Sequence, residues 1–93
     1  MPVTDSERLP QQMAVLIEFF GGQRLVTKKD SIAMPVTENT RVSDALAYVK
    51  KLYPSLPLED GMILMTVNQE MAAPDRKLRA NDTVLFLPLI GGG

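Results

Sequence analysis

Residues 83–93 read Thr83-Val84-Leu85-Phe86-Leu87-Pro88-Leu89-Ile90-Gly91-Gly92-Gly93, the most apolar run of a 93-residue chain, passing directly into three glycines. The β-branched and aromatic content predicts a strand from Thr83 to Leu89. If Val84 and Phe86 face the core, period two turns Leu85 and Leu87 outward. A core strand ordinarily turns back into its fold. This one meets residues that cannot pack a core and are entropically costly to order. Residues 91–93 are therefore expected to form a flexible C-terminal tail that projects from a domain spanning 13–90.

Upstream, Ala80-Asn81-Asp82 reads as a turn, preceded by Leu78 as a buried plug and a short strand near Met71-Ala72. Asn68-Gln69-Glu70 is a polar turn. It ends a strand from Met62 to Asn68 in which Ile63, Met65 and Val67 alternate with Leu64 and Thr66. Leu64, on a neighbouring strand, is expected to join Leu85 and Leu87 in an outward apolar cluster. Large exposed patches of this kind mark partner surfaces.

Ser55 to Gly61 is a loop. Before it, Val42, Ala45, Leu46, Val49 and Leu52 recur with a period near 3.6, which predicts one helix from Thr40 to Tyr53. Thr40 or Ser43 can cap its start, Asp44 suits the positive end, Lys50 and Lys51 the negative end, and Pro54 stops it. Ser31 to Val36 is a shorter strand, and Pro35 assigns it to an edge or a strand end. Lys28-Lys29-Asp30 belongs to a polar loop. Met13 to Phe20 is a strand with Val15, Ile17 and Phe19 toward the core and Leu16 and Phe20 on the side of Glu18. Gly21-Gly22 is expected to turn through positive φ. Residues 1–12 are polar, contain Pro2 and Pro10, and read as a flexible leader.

Strand, strand, helix, strand, strand in this length makes an α+β fold: a mixed four- to five-stranded sheet with one main helix across one face. The five methionines after Met1 are expected to fill the core adaptably.

Composition narrows the chemistry. Hydrophobic residues make up 45% and charged residues 23%, and the net charge is −1, so neither nucleic acid nor an anionic membrane is expected as a partner. The leader has no apolar run of the signal-peptide kind, and a cytoplasmic setting is expected. There is no Cys, His or Trp, so the commonest general base, metal ligand and covalent nucleophile are missing. No metal site and no bound cofactor are expected. The acidic pair Glu59-Asp60 sits beside Gly61 and reads as solvated turn charge. Gly21-Gly22 lacks the spacing of a phosphate-binding loop. The chain is not expected to be an enzyme.

The tail suggests a different role. A carboxylate is a poor acyl donor until a leaving group such as AMP is attached. Residues without side chains let a thin strand enter a narrow channel with its carbonyl unhindered. The activating machinery must then be a partner.

These residues resemble the β-grasp sulfur carriers: the molybdopterin synthase small subunit MoaD, the thiamine carrier ThiS, and the ubiquitin-related modifier of tRNA thiolation. The resemblance covers about residues 13–93 and is nearest to MoaD-like members. It is carried by Glu18-Phe19-Phe20-Gly21-Gly22, by Val42-Ser43-Asp44-Ala45-Leu46 through Tyr53-Pro54, and by Val67-Asn68. Leu78, Asp82-Thr83-Val84, Pro88 and Gly92-Gly93 complete it. The resemblance implies a ubiquitin-like β-grasp and a defined cycle. An ATP-dependent adenylating enzyme activates the Gly93 carboxylate, a persulfide-bearing donor converts it to a thiocarboxylate, and an acceptor synthase subunit receives the sulfur. Molybdopterin-type cofactor synthesis is the first choice of pathway. Gly91 and Gly92 would give the tail access, and Leu64, Leu85, Leu87, Pro88, Leu89 and Ile90 would bind partners. Two alternatives stand beside it. One is a ubiquitin-like modifier or tRNA-thiolation carrier conjugated through Gly93. The other is a non-catalytic β-grasp domain that binds proteins.

Overall fold

The computed structural model describes residues 13–58 and 62–88. The elements run β1 (Met13–Glu18), α1 (Gln23–Thr27), β2 (Ser31–Val36), α2 (Val42–Leu52), β3 (Ile63–Val67), β4 (Glu70–Met71) and β5 (Thr83–Pro88). The strands form one mixed sheet in the order β2-β1-β5-β3-β4. β1 and β5 are parallel, and the other neighbours are antiparallel. This is the α+β, ubiquitin-like β-grasp expected from the sequence. Its most apolar strand, β5, lies at the centre with a neighbour on either side.

Alternation along the strands sets the two faces of the sheet. Val15 and Ile17 of β1, Met34 and Val36 of β2, Ile63 and Val67 of β3, and Val84 and Phe86 of β5 are all buried on one face. Against that face lies the apolar stripe of α2, formed by Val42, Ala45, Leu46 and Val49. Phe19 meets Tyr53 edge to face, with ring centroids 5.6 Å apart, and joins the end of β1 to the end of α2. Leu78 is buried, as its isolation among polar residues suggested.

The edge position of Pro35 has a geometric reason. Met13 to Glu18 of β1 face Val36 to Ser31 of β2, and the Phe19 N–H donates to the Asp30 C=O at 2.9 Å, which extends that register by one pair. In an antiparallel ladder hydrogen-bonded pairs alternate, so Ile32, Met34 and Val36 bond inward. The backbone groups of Ser31, Ala33 and Pro35 point to the open edge, where a missing N–H costs the ladder nothing.

Four expectations need correction. The segment after Gly21 is not simply a loop, because Gln23–Thr27 forms one helical turn, closed at Lys28 with φ 63°. Gly21 takes the expected positive φ (50°), but Gly22 does not: at φ −62° it is the N-cap of α1. The cap of α2 is Arg41, not Thr40 or Ser43. Arg41 is extended (φ −118°, ψ 169°), and its N–H is accepted by the Asp44 carboxylate at 2.8 Å. Thr40 instead uses its hydroxyl to accept the Thr37 N–H at 2.8 Å, and Ser43 lies inside the first turn. Of the five methionines, Met34 is buried and Met65 partly so, while Met13, Met62 and Met71 are exposed. Met71 falls on the two-residue edge strand β4, paired with Thr66. In the stretch predicted as the Ser55–Gly61 loop, Leu56 and Leu58 are core residues, while Glu59, Asp60 and Gly61 lie outside the described residues.

Candidate functional site

β5 places its side chains as the alternation required. Val84 and Phe86 are buried, while Leu85 and Leu87 lie half-buried on the face opposite α2. Leu64 of β3 sits directly across from Leu87, and Thr66 across from Leu85. The Thr66 hydroxyl donates to the Leu85 C=O at 3.4 Å. On the other flank Glu18 of β1 is in register with Leu85, and Leu16 with Thr83. Met71 of β4 faces Thr66.

The sequence therefore folds so that Leu64, Leu85 and Leu87 converge. Sequence reasoning did not include Leu16 (38% exposed) and Met71 (75% exposed) in this cluster, although both share its face. Leu16 could have been found from its phase with Glu18. Met71 could not, because a two-residue strand carries no readable period. Phe20, half exposed just beyond β1, extends the apolar surface toward the start of α1.

Pro88 ends β5 and is exposed. Leu89, Ile90, Gly91, Gly92 and Gly93, all singled out from the sequence, lie outside the described residues, as does the leader 1–12. Around Pro88 the surface forms a shallow apolar groove of about 380 Å3, lined by Phe20, Val26, Leu56 and Pro57. The short helix α1 borders it and presents Leu25 and Val26 to the surface. Two side chains lock α1 in place: Gln23 bridges the Phe20 N–H and the Phe86 C=O, and Arg24 Nε donates to the Phe19 C=O at 3.1 Å.

At the other end of β5 a compact polar knot fixes where the strand begins. Asp82 accepts the Arg79 N–H at 2.8 Å and the Asn68 amide at 2.9 Å, and Arg76 stands 3.5 Å away. Burial pushes the Asp82 carboxyl up. The Arg79 N–H, the Asn68 amide and the Arg76 guanidinium together outweigh it and hold the group below the ordinary carboxylate range.

Among the described residues no cluster of three or more His, Cys, Asp or Glu side chains is placed to hold a metal ion. Every buried side-chain polar atom there has a hydrogen-bond partner. No helix among them is long and apolar enough to cross a membrane. What the described surface offers is an apolar sheet face and a strand that leads out of it.

A mixed five-stranded sheet crossed by one main helix is the ubiquitin-like β-grasp. Within it, residues 17–93 match the model of the ThiS family, and the chain belongs to that family. No curated protein matches the chain significantly. Among solved structures, the chain is similar to the small archaeal modifier protein 1 of Haloferax volcanii (21% identity, TM-score 0.73, covering 84% of this chain and 99% of that one). It is equally similar to a putative molybdopterin converting factor subunit 1 from Pyrococcus furiosus (22%, 0.73, 84% and 99%). A third is the complex of subunits 1 and 2 of molybdopterin-converting factor from Helicobacter pylori (21%, 0.55, 87% and 100%). These likenesses reinforce the fold.

Proposed function

We propose that this chain is a cytoplasmic sulfur carrier for molybdopterin-type cofactor synthesis, with the Gly93 carboxylate as its working group. A carboxylate oxygen attacks the α-phosphorus of ATP in a partner adenylating enzyme, and pyrophosphate leaves. The terminal sulfur of a donor persulfide then displaces AMP from the acyl carbon, and a thiol cleaves the S–S bond, which leaves a thiocarboxylate. Its sulfur is the nucleophile delivered on an acceptor synthase subunit. Gly91 and Gly92 keep the reacting carbonyl unhindered, while Leu64, Leu85, Leu87, Pro88, Leu89 and Ile90 make the contact with each partner in turn.

The observation that carries this reading is the continuity of the apolar face with β5, the strand that runs into the glycines. A partner seated on Leu64, Leu85 and Leu87 is already aligned with the chain it must receive. Membership of the ThiS family supports the carrier role. The partnership of subunits 1 and 2 in the Helicobacter complex is a precedent for a synthase partner.

The test is the intact mass of the chain after incubation with an adenylating enzyme, ATP and a persulfide donor. Exchange of one oxygen for sulfur at Gly93 is expected. Lysine-linked adducts would instead make the chain a protein modifier, and an unchanged mass would make it a binding domain.

A further inference from the structure

The parallel ladder between β1 and β5 stops in an unusual way. The Leu16 N–H donates to the Asp82 C=O at 2.9 Å. In a parallel pair donor and acceptor both advance by two residues, so the next rungs run from Glu18 to Val84 and from Phe20 to Phe86. That last rung is not made directly. The Phe20 N–H donates to Gln23 Oε1 at 2.7 Å, and Gln23 Nε2 donates to the Phe86 C=O at 2.8 Å. The side-chain amide is inserted into the rung as a spacer. Its orientation is fixed, because Phe20 offers only a donor there and Phe86 only an acceptor. Gln23 is buried (9% exposed), so this is an internal contact and not a surface accident.

The spacer acts at the C-terminal end of β5. The next backbone group of β5 that would face β1 belongs to Pro88, which has no N–H to give. On the other flank the register with β3 reaches Leu64–Leu87 and Ile63–Pro88. Gln23 and Pro88 together therefore end the direct β1 ladder along β5 at Phe86.

We propose that Gln23 is a positioning residue for the tail: by holding the Phe86 C=O one amide away from β1, it fixes the point and direction at which the chain departs toward Gly93. This rests on the carrier reading for its functional consequence, but its geometric part can be tested alone. Phe86 lies seven positions before Gly93, so Gln23 acts on how the terminus is delivered and not on its chemistry. Without the spacer, Phe20 pairs directly with Phe86 or both groups are left unpaired. In either case the root of the tail shifts.

The experiment compares the full-length chain with Gln23→Met, which keeps the length but makes neither bond, and Gln23→Glu, which keeps the acceptor for Phe20 but cannot donate to Phe86. Amide exchange followed by NMR is expected to rise about tenfold at Leu87 in both variants, and at Phe20 in Gln23→Met, while Val15, Ile17 and Val84 stay protected. In steady-state adenylation by the partner enzyme, KM for the chain is expected to rise about fivefold in both variants with kcat unchanged, the pattern of lost delivery. Altered exchange with an unchanged KM would reduce Gln23 to a stabilising contact and overturn the proposal. If the wild-type chain is not adenylated at all, the carrier reading fails separately, and exchange alone decides: unchanged protection at Leu87 overturns the role of Gln23, and local loss supports it. Should a variant fail to fold, the scalar coupling across the hydrogen bond from Gln23 Nε2 to the Phe86 carbonyl in the wild-type chain takes its place. Its detection supports the spacer, and its absence overturns it.

Discussion

Asn68 and Asp82, fourteen residues apart, hold each other across the turn that starts β5: the Asn68 amide donates to the Asp82 carboxylate at 2.9 Å. The other end of the same amide accepts the Thr83 N–H at 2.9 Å. Asn68 also has φ 54° and Gln69 φ 72°, the pattern of a type I′ hairpin turn. One asparagine thus makes the β3–β4 reversal and sets the register of β5, the strand that leads to the tail.

The depressed pKa of Asp82 gives a pH signature. A carboxyl group whose folded value lies below its unfolded value stabilises the protein above the unfolded range, and that stability is lost as pH falls through the folded value. Urea unfolding between pH 7 and pH 2 should show wild-type stability declining as the carboxylates protonate, with a shallower decline in Asp82→Asn. At neutral pH the substitution is expected to cost about 1–3 kcal/mol, the range for breaking a partly buried charge-assisted network.

The two faces of β5 should separate stability from association. Phe86→Ala opens the core and is expected to cost about 3–5 kcal/mol. Leu87→Asp, on the opposite face, should cost about 1 kcal/mol or less while weakening capture by the adenylating enzyme at least about tenfold. Calorimetric denaturation and pull-down titration, run side by side, check both. Equal effects of Leu87→Asp and wild type on capture would remove the sheet face from the docking surface.

Gly21 and Gly22 look interchangeable in sequence but are not in structure. A Cβ would meet nothing within 4 Å at either position, so only the backbone distinguishes them. Gly21, at φ 50°, is expected to lose about 1–2 kcal/mol on substitution by Ala. Gly22, at φ −62° and ψ −16°, already has a helical backbone, and Gly22→Ala is expected to leave stability unchanged or raise it by about 0.4–1 kcal/mol. Thermal denaturation of the two single variants suffices.

For α2 the contact to remove is Asp44 to the Arg41 N–H, 2.8 Å long. Asp44→Ala should cost about 1 kcal/mol and Ser43→Ala, which caps nothing, less than about 0.5 kcal/mol. Circular dichroism melting curves would reveal a reversed order if Ser43 were the true cap.

The legible parts of the fold were those with a long period. Val42 to Leu52 announces its buried stripe, and Val84 and Phe86 announce which face of β5 is inward. Pro35 announces its edge. The illegible parts lack any period of their own. Five residues from Gln23 to Thr27 are too few to show helical spacing, and Lys28 adopts the left-handed closing position without being Gly or Asn. Leu56 and Leu58 sit in a stretch broken by Pro54 and Pro57, and only the fold brings them into the core. Of the candidate site, Leu64, Leu85 and Leu87 could be read from alternation. Gln23 could not, because its value lies in two backbone groups, those of Phe20 and Phe86, that become neighbours only once β1 and β5 are paired.

The outward-turned ring of Pro35 also bears on how copies of this chain behave in crowds. A second molecule that tried to continue the sheet past β2 would find carbon where it needs a donor, and would forfeit a rung in a ribbon only six residues long. That flank is therefore a poor seed for ordered stacking. Along that margin the fold is guarded against joining its own copies edge to edge.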